Sequence, residues 1–588
     1  MTMHHSNPLQ RNVWAPTARR VEVVVDQQRL PMVLAEGRPG WWVLPETLQP
    51  GTQYAFSLDG GEPLPDPRSL FQPDGPHGPS MVVDPSLFRR PQSWVGRNLR
   101  GAVLYEMHVA TFTAEGTFDA AIEHLDDLVD LGVDAVEVMP VADFAGSRGW
   151  GYDGVGLFAV HRAYGGPGGF VRFIDACHTR GLGVILDVVH NHLGPEGNYL
   201  AQFGPYFTDT HETPWGPAVN LDAPGAEEVR AFLVDSARQW LVDFGLDGLR
   251  LDAVHALADD SDKHFLVELS EAVAGWEEVT GRPLMLIAES DLNQPSMVSP
   301  VGSVPDARGM DAQWADDIHH ALHSFFTNET QGYYVDFGPV EVLQKALDGV
   351  FVHDGATSTF RGEQWGQQVE QTSEDYDAHS FVAFLQDHDQ VGNRATGDRI
   401  DETITPAQHA AAAALYLLSP YTPMLFMGEE WAASTPFPFF SDLGPDLGPL
   451  VTQGRAREFA RMGWDRPVPD PQAETTMAEA VLRWDERSEP AHARMLDWYR
   501  TLIRIRHEQP DVLNPRLSQT TLEKNDDDTI VMRRGRVVVA ATRATDRTVE
   551  LDLGSVEKVL ASWTPLEDGA GANSLPGGAI IALLPATL

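Results

Sequence analysis

The chain has 588 residues, room for several domains, and is 43% hydrophobic and 22% charged with a formal net charge of −43. That charge excludes nucleic acid as a partner, since phosphates need a cationic face, and the four lysines, Lys263, Lys345, Lys524 and Lys558, are too scattered to form a membrane-binding patch. No apolar run approaches the roughly 20 residues of a membrane helix, the segment MTMHHSNPLQRNVWAP carries no apolar signal core, and the single cysteine, Cys177, cannot form an internal disulfide, so a reducing, cytoplasmic setting is expected.

Residues 1–97 read as a small β-sandwich. VEVVV, WWVL and YAFSL are short strands, separated by turn chemistry such as DGGEP and PDGPHGP. From Gly101 the pattern changes to apolar strands alternating with amphipathic helices. AVLYEMHV leads to the helix FDAAIEHLDDLVDLG, AVEVMP follows, and FVRFIDACHTRG precedes GVILDVV. EEVRAFLVDSARQWLVDFG precedes LDGLRLD, and HFLVELSEAVAGW precedes LMLIAES. GMDAQW, SFVAFLQ and PMLFMG supply three more strands. Eight strands, each with a helix beside it, predict an α/β fold built on a (β/α)8 TIM barrel over 98–512. Insertions fall between Leu193 and Pro224 and between Thr327 and Ser380, and HARMLDWYRTLIRIRHEQ is the last barrel helix. Residues 513–588, with TIVMRRGRVVVAATRA, read as a C-terminal antiparallel β domain.

Active sites of such barrels lie at the C-terminal ends of the strands, so the polar residues ending each apolar run are the candidates. One strand ends in Asp187, with His190, Asn191 and His192 behind it. The next presents Arg250 and Asp252, two apart and therefore on one side. LMLIAES ends in Glu289, and a later strand ends in Gln386-Asp387-His388-Asp389. Burying several carboxylates with one arginine is costly unless function requires it. Glycoside hydrolysis does require it. A glycosidic oxygen leaves only when protonated, which needs a carboxylic acid held neutral, here Glu289 crowded by Asp252 and Asp389. The oxocarbenium-like centre needs an opposing carboxylate, here Asp252, kept ionised by Arg250. Neighbouring strands favour the short spacing of retaining enzymes.

DVVHNH, GLRLDAVH, IAES and FLQDHD resemble the four motif regions of the α-amylase superfamily, glycoside hydrolase family 13. The resemblance covers nearly the whole chain and implies a sandwich of the glycogen-binding-module type ahead of the barrel. It implies Asp252 as nucleophile, Glu289 as acid/base and Asp389 as transition-state stabiliser. It also implies that Asp187, Asn191, His192, Arg250 and His388 hold substrate, and that Tyr152, in GWGYDG, stacks on the sugar at the cleavage position. YFTDTHETPWGPAVNLD, MDAQWADDIHHALH with ETQGYYVDFG, and GEEWAASTPFPFFSD resemble the branch of the superfamily that frees trehalose from the end of maltooligosyltrehalose, which makes that α-glucan the expected substrate. Many relatives place a lysine-histidine pair after the nucleophile; this chain has His255 and Ala256, a change on the leaving-group side. His255 and the loops carrying Trp215, Trp314 and Phe437 to Phe440 are the expected readers of the departing sugar.

Other readings have less behind them. A branching or debranching enzyme of the same superfamily and a silent α-glucan-binding protein are the alternatives. GWGYDG matches a dinucleotide fingerprint but is followed by GLFAV, not a helix. His190 and His192 have metal-ligand spacing, yet sugar hydrogen bonding explains them with less. His319, His320 and His323 form a helical cluster, read as a packed helix face near the cleft. No lysine follows a glycine-rich loop, so a P-loop is excluded. No metal or organic cofactor is expected.

Overall fold

The computed structural model describes residues 9–89, 94–461, 468–566 and 572–586; the segment 1–8, which opens the stretch read for targeting signals, and residues 90–93 near the first expected boundary lie outside the described residues. Eight parallel strands close into a barrel in chain order: β1 (Leu104–Met107), β2 (Ala135–Val138), β3 (Gly183–Val188), β4 (Gly248–Leu251), β5 (Met285–Ala288), β6 (Ala312–Trp314), β7 (Phe381–Phe384) and β8 (Thr422–Phe426). Each is one of the eight apolar runs read from the sequence. The strands are short and buried on both faces, which is why they read as near-continuous apolar runs rather than alternating ones.

Alternation nevertheless decides the interior. Leu104, Ala135, Ile185, Met285, Val382 and Met424 belong to an apolar cluster that fills the barrel floor. Two residues farther along, on the same side of their strands, stand Glu106, Glu137 and Asp187. Glu106 is in register with Glu137, and Asp187 with Arg250. A polar layer therefore sits directly on an apolar one. The ladder continues past the formal strand ends: Asp252 N donates to Val188 O at 3.1 Å and Glu289 N to Leu251 O at 3.0 Å. Those two bonds fix where the mouth carboxylates start.

The helices differ from expectation in one place. FDAAIEHLDDLVDLG forms two helices, Phe118–Ile122 and Leu125–Leu131, because His124 leaves the helical region at ψ 1°. Thr117 caps the first by accepting from Ala120 N, and Gly132, at φ 100°, ends the second in the left-handed region open to glycine.

Before the barrel, strands including Val21–Val25, Trp41–Thr47 and Gln53–Leu58 form a three-stranded and a four-stranded antiparallel sheet. Trp14 meets Tyr206 edge-on at 5.5 Å and Phe56 meets Phe203 at 6.3 Å, so these sheets dock on the first insertion. Arg68 pairs with Asp235 at 2.8 Å and lies over Trp41, Phe158 and Phe232. Trp14, Trp41 and Trp42 are buried, so among the described residues this region shows no exposed tryptophan with which to hold a glucan by itself. After the barrel, a five-stranded antiparallel sheet runs from Thr520 to Leu583 and packs on the helices Pro406–Leu417 and Val340–Gly349. Among the described residues, no helix is long and apolar enough to cross a membrane.

Candidate active site

One guanidinium organises the mouth. Arg250, buried at the end of β4, donates through Nη1 to Asp187 at 2.7 Å and to Asp252 at 3.0 Å, while Nη2 lies 3.2 Å from Glu289 Oε2. Its face rests 4.1 Å above the Trp314 ring. Tyr152 OH donates to Asp187 at 2.5 Å, and the Tyr152 ring stacks on His388 at 5.0 Å. Thus Tyr152, Asp187, Arg250, Asp252, Glu289 and His388, drawn from five separate stretches of sequence, meet in one connected cluster.

Glu289 is set apart from Asp252 by its surroundings. Burial lifts its carboxyl above the ordinary range; Arg250 opposes that rise and Asp252 adds to it. Burial therefore comes ahead of the crowding expected from the sequence, with Asp252 as the neighbour that contributes. Oε2 accepts from Ala253 N at 2.6 Å, leaving Oε1 for a substrate oxygen. Ala253 holds φ 38°, a left-handed conformation that costs an alanine roughly 1–2 kcal/mol. Nucleophile candidate and acid candidate are thus joined by a strained peptide whose N–H points at the acid. Asp389, one residue into the short helix His388–Gly392, accepts from Asn393 Nδ2 at 2.5 Å, and burial raises its carboxyl, with His388 opposing and Glu289 reinforcing.

The first motif region is buried and unpartnered. His190 has no partner for either ring nitrogen, and Asn191 none for either amide atom, among the described residues. Burial pulls His190 and His192 down to about 4, so both are neutral at pH 7. Buried polar groups are normally satisfied, so orphans grouped at a barrel mouth mark a place where a hydroxylated ligand binds. His192 Nε2 meets Tyr152 O at 3.1 Å, and its ring lies 4.4 Å from that of Trp215, within 4° of parallel. Trp215 is 50% exposed on the hairpin of Phe207–Thr213 and Gly216–Val219, the placement a sugar platform needs.

Two expected sugar readers are elsewhere. Trp314 is the last residue of β6, not a loop residue; Arg250 covers it, so it supports the site from below. Phe437 and Phe440 are buried, and Phe437 stacks on Trp150 at 5.2 Å, so they back the segment carrying Tyr152 instead of facing sugar. His255 touches the cluster indirectly, with Nδ1 3.8 Å from Asp291.

Beside Asp389 opens a cavity of about 310 Å³. Asp291, Asp316, Asn393 and Asp389 line its barrel side; Tyr333, Phe360, Arg361 and Trp365 from the second insertion wall the other. Arg361 donates to Asp291 at 2.8 Å and lies 4.1 Å over Trp365, whose indole donates to Asp291 O at 2.7 Å. Of the helical histidines, His320 lines the cavity, whereas His319 and His323 are tied to Leu385 O and Glu329. The sequence identified this insertion without showing that it closes on the site. It also left out Glu106, Glu137 and Asp316, acids whose signal was a charge inside or just after an apolar strand. Among the described residues one grouping offers three metal ligands, His211, Asp222 and Asp260, but Asp222 Oδ2 already accepts from His211 Nε2 at 2.7 Å and Asp260 N at 2.9 Å.

A closed eight-stranded parallel barrel with Asp252, Glu289 and Asp389 gathered at its mouth has the architecture of a glycoside hydrolase of the α-amylase type. The family model described as Alpha amylase, catalytic domain, matches residues 88–212. A malto-oligosyltrehalose trehalohydrolase from Arthrobacter ramosus is 50% identical over 85% of this chain and 87% of its own, and one from Brevibacterium helvolum is 42% identical over 100% and 99%. A solved structure from Salmonella typhimurium, described as an alpha amylase, superposes with a TM-score of 0.89 at 39% identity, covering 98% of this chain and 97% of that one. The chain belongs to the malto-oligosyltrehalose trehalohydrolase family.

Proposed function

We propose that the protein hydrolyses the α-1,4-glucosidic bond next to the terminal trehalose of maltooligosyltrehalose, with net retention, releasing trehalose and a maltooligosaccharide. The observation that carries the reading is the cavity beside Asp389. Asp389 and Asp316 line it on the barrel side, and the second insertion walls it with aromatic rings and one arginine. Such a pocket suits a short, bent disaccharide with no reducing end. A continuing glucan chain, as a branching or debranching enzyme must hold, would meet the wall.

In this reading Glu289, whose carboxyl burial raises above the ordinary range, protonates the departing 4-oxygen through Oε1. Asp252, which accepts from Arg250 at 3.0 Å, takes the anomeric carbon to form a glycosyl ester. A single guanidinium that reaches both carboxylates supports the roughly 5–5.5 Å separation of retaining enzymes. Glu289, now ionised, draws a proton from water, which attacks the ester and frees the maltooligosaccharide. Asp389 and His388 bind hydroxyls of the sugar under attack, and the unpartnered atoms of His190 and Asn191, with Nδ1 of His192, place others. All these steps use side chains, and the reading includes no metal or organic cofactor. The same reading divides the chain at 97 and 512, and the buried lone Cys177 fits a cytoplasmic setting.

The test offers maltopentaosyltrehalose and maltoheptaose, chains of equal length. Buried polar groups left unpaired by the wrong sugar discriminate strongly, so kcat/KM is expected to be at least about 100-fold higher on the capped chain. Equal values return the protein to general α-glucan hydrolysis. Loss of iodine staining from amylose without free trehalose points to branching.

A further inference from the structure

Glu106 stands in the middle of β1, buried among apolar strands, with no place in the acid–nucleophile pair. Both its oxygens are committed to one residue: Oε2 accepts from the backbone N of His388 at 2.8 Å, and Oε1 meets His388 Nδ1 at 2.5 Å. A carboxylate that grips backbone and ring together fixes the position, the rotamer and the tautomer of a histidine at once. Tyr152 stacks on that ring, and Trp150 meets it edge-on at 5.5 Å. Among the described residues Nε2 has no partner, although His388 is 3% exposed. A buried histidine with one nitrogen clamped and the other free is a donor held ready for something absent from the protein itself.

We propose that Glu106 is a positioning residue for the glycosidic reaction, holding His388 as an imidazolium whose Nε2–H donates to a hydroxyl of the sugar under attack. A charged donor is stronger than a neutral one, and preorganised in a dry site it acts as the sugar ring flattens and its hydroxyls shift. Three of the groups facing His388 favour the cation: Glu106 from β1, and Asp389 and Asp387, which flank it in sequence. Glu137 from β2 and Asp187 from β3 also face it but are themselves raised by burial, and neutral His108 is the opposing neighbour. Burial alone would depress the ring, but Glu106, then Asp389 and Asp387, push it up to about 10. The ring therefore stays charged well past the pH at which an ordinary histidine near 6.5 has lost its proton. The kinetic consequence rests on the function proposed above; the protonation state does not.

Two measurements test this. In the full-length enzyme labelled with ¹³Cε1-histidine and assigned with His388→Gln, the His388 resonance is expected to stay at its protonated position through pH 8.5. In Glu106→Gln, which keeps the size of the side chain but not its charge, the same resonance should titrate near the ordinary range. A wild-type His388 that is neutral at pH 7 overturns the proposal whether or not the variant folds, and whatever the substrate proves to be. In turnover, Glu106→Gln is expected to lower kcat about 100-fold at pH 8, to recover as the pH falls through 6.5, and to change KM less. Added to His388→Gln it should cost nothing further. A loss that is equal at every pH and persists in the His388→Gln background would show that Glu106 merely supports the strand, and would sink the idea.

Discussion

At the scale of single residues, the site separates two carboxylates by their surroundings. Both have Arg250 against them, but the Glu289 carboxyl, which also accepts from Ala253 N, is raised by burial and by the neighbouring Asp252. Asp252→Ala and Glu289→Gln are each expected to lower kcat by three or more orders of magnitude while leaving the circular dichroism unchanged. Both side chains lie at strand ends in the mouth, not in the core; near-normal turnover in either variant would remove the assigned roles. The sign of the pH effect follows from the direction of the Glu289 shift. The first step needs the protonated acid, so kcat falls as pH rises through the Glu289 titration, and a raised value moves that alkaline limb upward. Any variant that admits water around Glu289 should move the limb down, which a kcat–pH profile reads directly.

At the scale of elements, the proposed reading gives the chemistry to the strands and the hold on the sugar to the two insertions. Trp215 is half exposed on its hairpin and stacked on His192. Trp215→Ala should therefore reduce kcat/KM about 2- to 12-fold, the equivalent of the roughly 0.5–1.5 kcal/mol of an aromatic contact, without lowering Tm. An unchanged kcat/KM would mean the ring faces only solvent. Arg361→Ala removes the tie from the second insertion to Asp291 and the cover over Trp365. It should cost the trehalose-capped chain about 10- to 100-fold in kcat/KM and leave the uncapped chain nearly unaffected; equal losses on both would place Arg361 outside substrate recognition. These elements also mark what the sequence could tell. All eight strands were legible because parallel strands buried on both faces are unbroken apolar runs, and the carboxylates that end them follow from the barrel rule. Glu106 and Glu137 were overlooked because a mid-strand glutamate reads as an interruption until alternation places it inside. Trp314 and Phe437 were misplaced because exposure is a tertiary property: the same aromatic is platform or floor depending on what lies above it. Residues 327–380 could be recognised as extra chain, but only long-range contacts such as Arg361 with Asp291 show what they enclose.

At the scale of the whole molecule, the flanking β regions are bound to the barrel at specific points. Arg68 joins the N-terminal sheets to the helix Ala226–Arg238 through Asp235 and lies over three aromatic rings, so Arg68→Ala loses packing as well as a pair. A cost of about 2–3 kcal/mol is expected, seen as a lower Tm with kcat unchanged; a matching fall in kcat would show that docking shapes the mouth. The polar layer of the barrel and the cavity wall come from different parts of the chain, and this division has a consequence for how such a protein can change over generations. In the proposed reading the stereochemical outcome rests on groups at the ends of β3, β4, β5 and β7, each dependent on its neighbours, so a lineage can scarcely alter one without losing the reaction. In the same reading the choice of departing sugar rests largely on a single excursion that leaves the barrel and returns to it. Drift confined to that stretch can change what the organism harvests while the bond-breaking apparatus is inherited intact.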